Sequence, residues 1–317
     1  MREGPARDGY DVVIVGGGAA GLSAATVLGR CRRTVLVVDA GQPRNAPAAH
    51  AQGFLTRDGT PPGELLAHGR EEARRYGVEV LADRVVRARS GGTGFDIRID
   101  AGHDVHARRL LVCTGLVDRL PDLPGLAERW GRDAVHCPFC HGWEGRDEPT
   151  VALVGTALDL HKAVLVTALT SRLTLVTESP MTAASLAQEP DGRLLIDAGV
   201  PVVPGPAVEI LVQEDRLAGV RTADGTVLDA SVVYCTPPVA PCDTLLAQLG
   251  AKTTGSIFGP VVAVDDEGAT SVAGVWAAGN AVDPTAQLVH AASAAYRAAQ
   301  AIATSLAAED LRVTAVR

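Results

Sequence analysis

Cys137 and Cys140 stand two residues apart in the stretch His136-Cys137-Pro138-Phe139-Cys140-His141-Gly142-Trp143, and that spacing lets two thiols close a small, reactive disulfide ring. In a chain without a secretory leader, a lone C-x-x-C reads either as a redox pair or as half of a zinc site. The other cysteines, Cys31, Cys113, Cys235 and Cys242, stand singly in apolar runs, so no second C-x-x-C completes a four-cysteine set. His136 and His141 would make up the ligand count, but residues so close along the chain seldom all reach one tetrahedral ion. Thiol–disulfide exchange is therefore the favoured chemistry, and no metal is expected. His141 is the candidate acid–base group, because an imidazole titrates near ~6.5 and can both take a thiol proton and return it. Its alternative is a solvent-facing residue at a helix start. His136 is the second candidate, with a mere neighbour as its alternative.

The elements around this pair point to nucleotide chemistry. Val12 to Val15 is a short β run, followed by Gly16-Gly17-Gly18-Ala19-Ala20-Gly21, an apolar helical stretch to Gly29, and a second β run from Thr34 to Val38 that ends in Asp39-Ala40. This is a strand–turn–helix–strand unit with G-x-G-x-x-G in the context that dinucleotide binding requires. Gly16 permits the tight turn, Gly18 lets backbone approach a pyrophosphate, and Gly21 lets the helix pack on its strand. Asp39 is placed to accept hydrogen bonds from a ribose. The long loop Gly41 to Thr60 lacks periodicity, and its Arg44, Asn45 and His50 are candidate cofactor neighbours, with solvated loop residues as the alternative. Further candidates for the same cofactor lie at two later places: Thr114 and Gly115, closing the β run Leu110 to Thr114, and Gly279, Asn280, Gln287 and Leu288, between a short β run and an Ala-rich helix.

An internal repeat follows. Setting Gly155 on Gly16 aligns Thr150 to Gly155 with Asp11 to Gly16 and puts Glu178 on Asp39. The repeat is eroded, since Ala157 stands where Gly18 is and Leu160 where Gly21 is. A methyl at the first position crowds a pyrophosphate and a leucine at the second pushes helix from strand, so this unit is read as keeping the fold while losing the nucleotide. Beyond it, Leu194 to Val212 and Leu217 to Thr236 read as β hairpins with turns at Gly205-Pro206 and Asp224-Gly225.

A chain of 317 residues has room for about two domains. The net charge of −8 is spread along the sequence, which argues against nucleic acid or an anionic membrane as partner, both of which ask for a basic patch. The most apolar helix, His290 to Leu306, is interrupted by Arg297 and falls short of the ~18 apolar residues of a span. A soluble, cytoplasmic protein is expected, in which a C-x-x-C is cycled.

With these residues in view, the chain resembles the low-molecular-weight thioredoxin reductases along nearly its whole length. Gly16, Gly18, Gly21 and Asp39 match that family's FAD motif, Cys113-Thr114-Gly115 its A-T-G strand end, and Gly279-Asn280 its A-G-D closing motif with Asn for Asp. The resemblance implies an α/β fold of two Rossmann-like (three-layer ββα) domains, the FAD domain being discontinuous. Residues 1–116 and 244–317 would form the FAD domain, and residues 117–243 a degenerate NAD(P)-binding-like domain carrying the cysteines. Reductases of this kind place an H-R-R-x-x-x-R stretch after the second nucleotide strand to clamp a 2′-phosphate, whereas this chain has Thr177-Glu178-Ser179-Pro180-Met181. His141 stands where those enzymes carry an aspartate. Both departures are similar to the FAD-dependent dithiol oxidases of holomycin, gliotoxin and romidepsin biosynthesis, most of all the holomycin type. What this implies is an intramolecular disulfide formed in a small-molecule dithiol, with Cys137 facing substrate, Cys140 facing the flavin, O2 taking the electrons as H2O2, and a homodimeric assembly. An NAD(P)H-dependent thioredoxin or disulfide reductase and a non-enzymatic flavin redox sensor remain the alternatives. Phe139, Trp143 and Trp130 are read as walls of a small apolar pocket, with core packing as the alternative for Trp130.

Overall fold

The computed structural model describes residues 4–315 and divides into two compact units. One gathers the chain up to Arg44, Pro62–Val117 and the chain from Val239; the other gathers Asn45–Pro61 and Asp118–Pro238.

In the first unit, the strand Gly9–Val15 pairs in parallel with Val35–Asp39 on one side and Asp104–Val112 on the other. Val12 and Ile14 face one side of this sheet and Val13 and Val15 the other, and all four are buried. A strand buried on both faces reads as a continuous apolar run, which is why this one ends in four consecutive Val and Ile residues, Val12 to Val15. On the first face lie the helix Ala19–Arg30 and the helix Leu288–Ala315, which meet through Ala20, Ala24, Ala295, Ala298 and Ala299. Alanines on both partners leave no bulk to hold the helices apart. On the second face, the antiparallel strands Val85–Gly91 and Gly94–Ile99 supply Ala88, Phe95, Ile97 and Ile99. The short strand Val275–Ala277 completes the parallel sheet by pairing with Leu110, Leu111 and Val112. An ion-pair network pins the last helix beneath: Arg108 reaches Asp11, Glu309 and Asp310, and Arg109 reaches Glu309.

The second unit repeats the plan at smaller scale. Its parallel sheet runs in the order Val202–Val203, Leu173–Thr177, Thr150–Val154, Val232–Tyr234, Ala134–Val135. The helix Ala157–Val166 covers one face through Leu160, Ala163 and Val166, and the antiparallel strands Ala207–Gln213 and Arg216–Thr222 cover the other through Ile210, Leu217 and Val220.

Three expectations change. Leu194 to Asp197 is not a strand but the end of the helix Pro190–Asp197, whose Leu195 enters the core while Leu194 stays exposed. The hairpin turn lies at Glu214-Asp215, both in the left-handed region at φ 49° and 57°, and Gly205-Pro206 instead leads into the strand from Ala207. Two-residue hairpin turns need positive φ at both central positions, which the unremarkable Glu-Asp pair conceals. Lastly, residues 45–61 group with the cysteine-bearing unit, not with the first.

Candidate active site

Cys137 and Cys140 are joined by a disulfide, with Cα atoms 5.4 Å apart, across the single helical turn Pro138–His141. Pro138 starts the turn with a preset φ. The Cys137 carbonyl then accepts from the N–H groups of Cys140 at 3.2 Å and His141 at 3.3 Å, while Gly142 N–H reaches the Pro138 carbonyl at 2.8 Å. Gly142 is required, since a Cβ there would strike that carbonyl and Leu169. Cys137 is buried and Cys140 half-buried.

His141 sits with both ring nitrogens hidden from solvent and without a hydrogen-bond partner. Burial pushes its imidazole below the ordinary value, opposed by the charge of Glu144 and by the backbone of Gly131. A ring held toward its neutral form is what a proton acceptor for a thiol requires. His136 stacks instead on the half-buried Trp130, ring centroids 5.8 Å apart. Phe139 and Trp143 do not wall a closed pocket: they are 79% and 69% exposed, and the Arg146 guanidinium lies 4.1 Å over the Trp143 ring.

Two residues that the sequence reading passed over hold this turn. Gln52 Nε2 donates to Glu144 Oε1 at 2.7 Å, tying the loop 45–61 to the segment after the cysteines. In that loop His50 turns to its own strand-like bridge, Nδ1 lying 2.9 Å from the Gly59 carbonyl, and the Asn45 carbonyl accepts from Ala48 N–H. Asn45 and His50 therefore group with the cysteine-bearing unit, and Arg44 ends the first stretch of the other.

The remaining cofactor candidates converge at the carboxyl ends of the first unit's parallel strands, where nucleotides bind in open α/β sheets. Gly16 has φ +103°, and a Cβ there would strike the Cys113 carbonyl. At Gly21 a Cβ would strike the Gly16 carbonyl and Ile14. Gly18 differs from both. It caps the helix Ala19–Arg30 without any side-chain hydrogen bond, and a Cβ on it would meet nothing within 4 Å. Ala19 and Ala20 follow it in the first turn, so the helix N-terminus opens on a cradle into which a pyrophosphate fits. Asp39 is half-buried and faces Arg70 at 3.8 Å, with Ala40 exposed beside it. Thr114, just before Gly115, donates its hydroxyl to the Cys242 carbonyl at 2.6 Å. Asn280 next to Gly279 spends its Nδ2 on the carbonyls of Asp283 and Ala286, which shapes the approach to Gln287 and Leu288 at the start of the last helix.

The corresponding place in the second unit is filled from within. Thr156 caps the helix Ala157–Val166, and Asp159 Oδ2 accepts from Gly155 N–H at 3.2 Å, Thr156 N–H at 2.9 Å and the Thr156 hydroxyl at 2.7 Å. Glu178, at the ribose-acid position, accepts from Ala207 N–H at 2.8 Å, and burial raises its carboxyl above the usual range.

The pyridine nucleotide-disulphide oxidoreductase model matches residues 10–295 of this chain. Thioredoxin reductase sirT of Leptosphaeria maculans is 31% identical over 300 residues, 90% of each chain. A probable thioredoxin reductase of Arthroderma benhamiae is 38% identical over 147 residues, a stretch that spans 44% of this chain and 36% of that protein. Among solved structures, that of HlmI superposes with a TM-score of 0.90 at 40% identity, covering 99% of this chain and 98% of the other.

Proposed function

The chain belongs to the pyridine nucleotide-disulphide oxidoreductase family as a thioredoxin reductase-like, FAD-binding oxidoreductase, and on that footing we propose that it is a dithiol oxidase. It closes an intramolecular disulfide in a small-molecule dithiol of the holomycin kind, in the balance R(SH)2 + O2 → RS2 + H2O2. The observation that carries this reading is the contrast inside the second unit: the redox pair and a buried His141 held toward its neutral form are intact, while the turn that would receive a nicotinamide nucleotide has lost its second and third glycines and holds a carboxylate.

The residues that would hold FAD are Gly16, Gly18, Gly21 and Asp39, with Gly279 and Asn280 at the closing segment. Held there, FAD would supply the two-electron acceptor that links the enzyme dithiol to O2.

The chain's own residues carry the thiol chemistry. His141 takes the proton of one substrate thiol; the resulting thiolate attacks the Cys137 sulfur, breaks the Cys137–Cys140 bond and leaves Cys140 as thiolate. The second substrate thiol, deprotonated in turn, attacks the substrate sulfur of this mixed disulfide and expels Cys137. The product leaves oxidised by two electrons, and the enzyme holds a dithiol in its place. His136, stacked on Trp130, is assigned the placement of Cys137 beside it. A homodimer is the assembly carried with this reading, and sedimentation checks it.

Anaerobic titration of the yellow protein with dithiothreitol, NADH and NADPH in separate cuvettes tests the assignment. Dithiothreitol is expected to bleach the flavin and neither nucleotide to do so at a comparable rate. Rapid bleaching by NADPH would make the protein a reductase instead.

A further inference from the structure

Both units present a helix N-terminus at the carboxyl end of a parallel sheet, and they treat it in opposite ways. In the first, Gly18 leaves open space and no side chain caps the helix. In the second, Asp159 folds back from the first turn and takes up the backbone N–H groups of Gly155 and Thr156 together with the Thr156 hydroxyl. Those two amides correspond to the ones of Gly16 and Gly17, just ahead of Gly18, where a pyrophosphate approaches the backbone in a working unit. Thr156 answers by accepting from Asp159 N–H at 3.4 Å, so the two side chains close a reciprocal box. Asp159 is 92% shielded, read from its 8% exposure, and its second oxygen, Oδ1, makes no hydrogen bond among the described residues. An acidic side chain therefore sits at the turn ahead of the anion position with its Oδ1 unsatisfied, and Glu178 adds a second acid at the ribose end.

We propose that Asp159 is a built-in occupant of the second unit's anion position and the residue that excludes pyrophosphate-bearing reductants from it. Loss of glycine at 157 and 160 alone would weaken a nucleotide site; a carboxylate folded back over the turn ahead of Ala157 also repels a pyrophosphate, while the Thr156 hydroxyl already accepts from the Asp159 N–H at the helix start. Asp159 thereby sets the specificity for the electron donor, a consequence that rests on the oxidase reading, while the occupancy itself does not.

The test is calorimetric titration of the flavin-loaded protein with inorganic pyrophosphate, in the parent, Asp159→Asn and Asp159→Ser. With the first unit filled by flavin, differences among the three report on position 159. Asparagine keeps the size and the acceptor but not the charge; serine removes both. Affinity is expected to rise in the order parent, Asn, Ser, with Ser about tenfold or more above the parent. A role as helix cap only would lower thermal stability in both variants and leave pyrophosphate binding unmoved, which would overturn the proposal, as would a parent that already binds as tightly as the variants. Should Asp159→Ser not fold, the Asn variant decides by the same criterion. If the order holds while the parent fails to oxidise dithiothreitol with O2, the occupancy stands and the oxidase reading falls.

Discussion

The two sheet-and-helix units differ less in fold than in how each treats the N-terminus of its first helix. The first unit leaves open space beside Gly18 and no side chain on the N–H groups of its helix start, at the cost of an uncapped helix. The second satisfies them with Thr156 and Asp159 and so stabilises itself where the first stays receptive. A binding site is in this sense an unfinished helix end, and finishing it is a way for a duplicated unit to retire from ligand binding while keeping its core.

The sharpest way to break this contrast is a matched pair of substitutions. Gly18→Val is expected to fold, because a Cβ there meets nothing within 4 Å, yet to lose flavin and all turnover with it. Ala157→Val at the equivalent place in the second unit should keep a full complement of flavin; absorbance at 450 nm against protein concentration reads both. A yellow Gly18→Val protein would put the cofactor elsewhere. Next in size, His141→Ala should keep the flavin spectrum and slow dithiol oxidation by about 10²–10⁴-fold, separating the unit that holds the cofactor from the unit that moves the proton. Stopped-flow reduction by dithiothreitol measures it, and the loss should shrink at high pH, where the substrate is already a thiolate.

Smaller effects refine the picture. Thr156→Ala removes a cap and should cost roughly 1 kcal/mol of stability in urea titrations, whereas Gly18→Ala has no side-chain cap to lose and should cost only a few tenths. Glu144→Gln removes the charge that holds the His141 imidazole up, so the acid limb of the rate profile should move to still lower pH, and only slightly because Glu144 is exposed. The same imidazole shapes stability. Its folded value lies below that of the unfolded chain, so the unfolded chain takes the proton first. Stability is then full above about pH 6.5 and declines as pH falls toward the folded value. Thermal melts at pH 5 and pH 7.5 should show that decline, reduced in His141→Phe.

Much of this was legible from the sequence because the signals are local. The run Val12 to Val15, the glycine spacing and Asp39 lie within thirty residues, and the last helix announces itself by its alanines. Where signals conflict, reading fails: Leu194-Leu195-Ile196 fits a strand or a helix equally well, and packing of Leu195 decided it. Asp159 could have been found, since Thr-x-x-Asp ahead of an apolar run is a variant of the capping-box pattern, but attention went to the missing glycines. Gln52 could not, because its bond to Glu144 joins residues 92 apart in sequence.

The discontinuity of the first unit sets an order of events during synthesis. Chains leave the ribosome N-terminus first, and domains fold as units once their residues are out. All of the cysteine-bearing unit has emerged by Pro238, whereas the flavin-binding unit still lacks the strand Val275–Ala277 and the helix Leu288–Ala315. Until that helix arrives, Ala24, Ala25 and Leu28 lack the cover of Ala295, Ala298 and Ala299, and Arg108 and Arg109 have no Glu309 to meet. Every residue of the cysteine-bearing unit thus leaves the ribosome before the last strand and helix of the first unit do, so the first unit closes last.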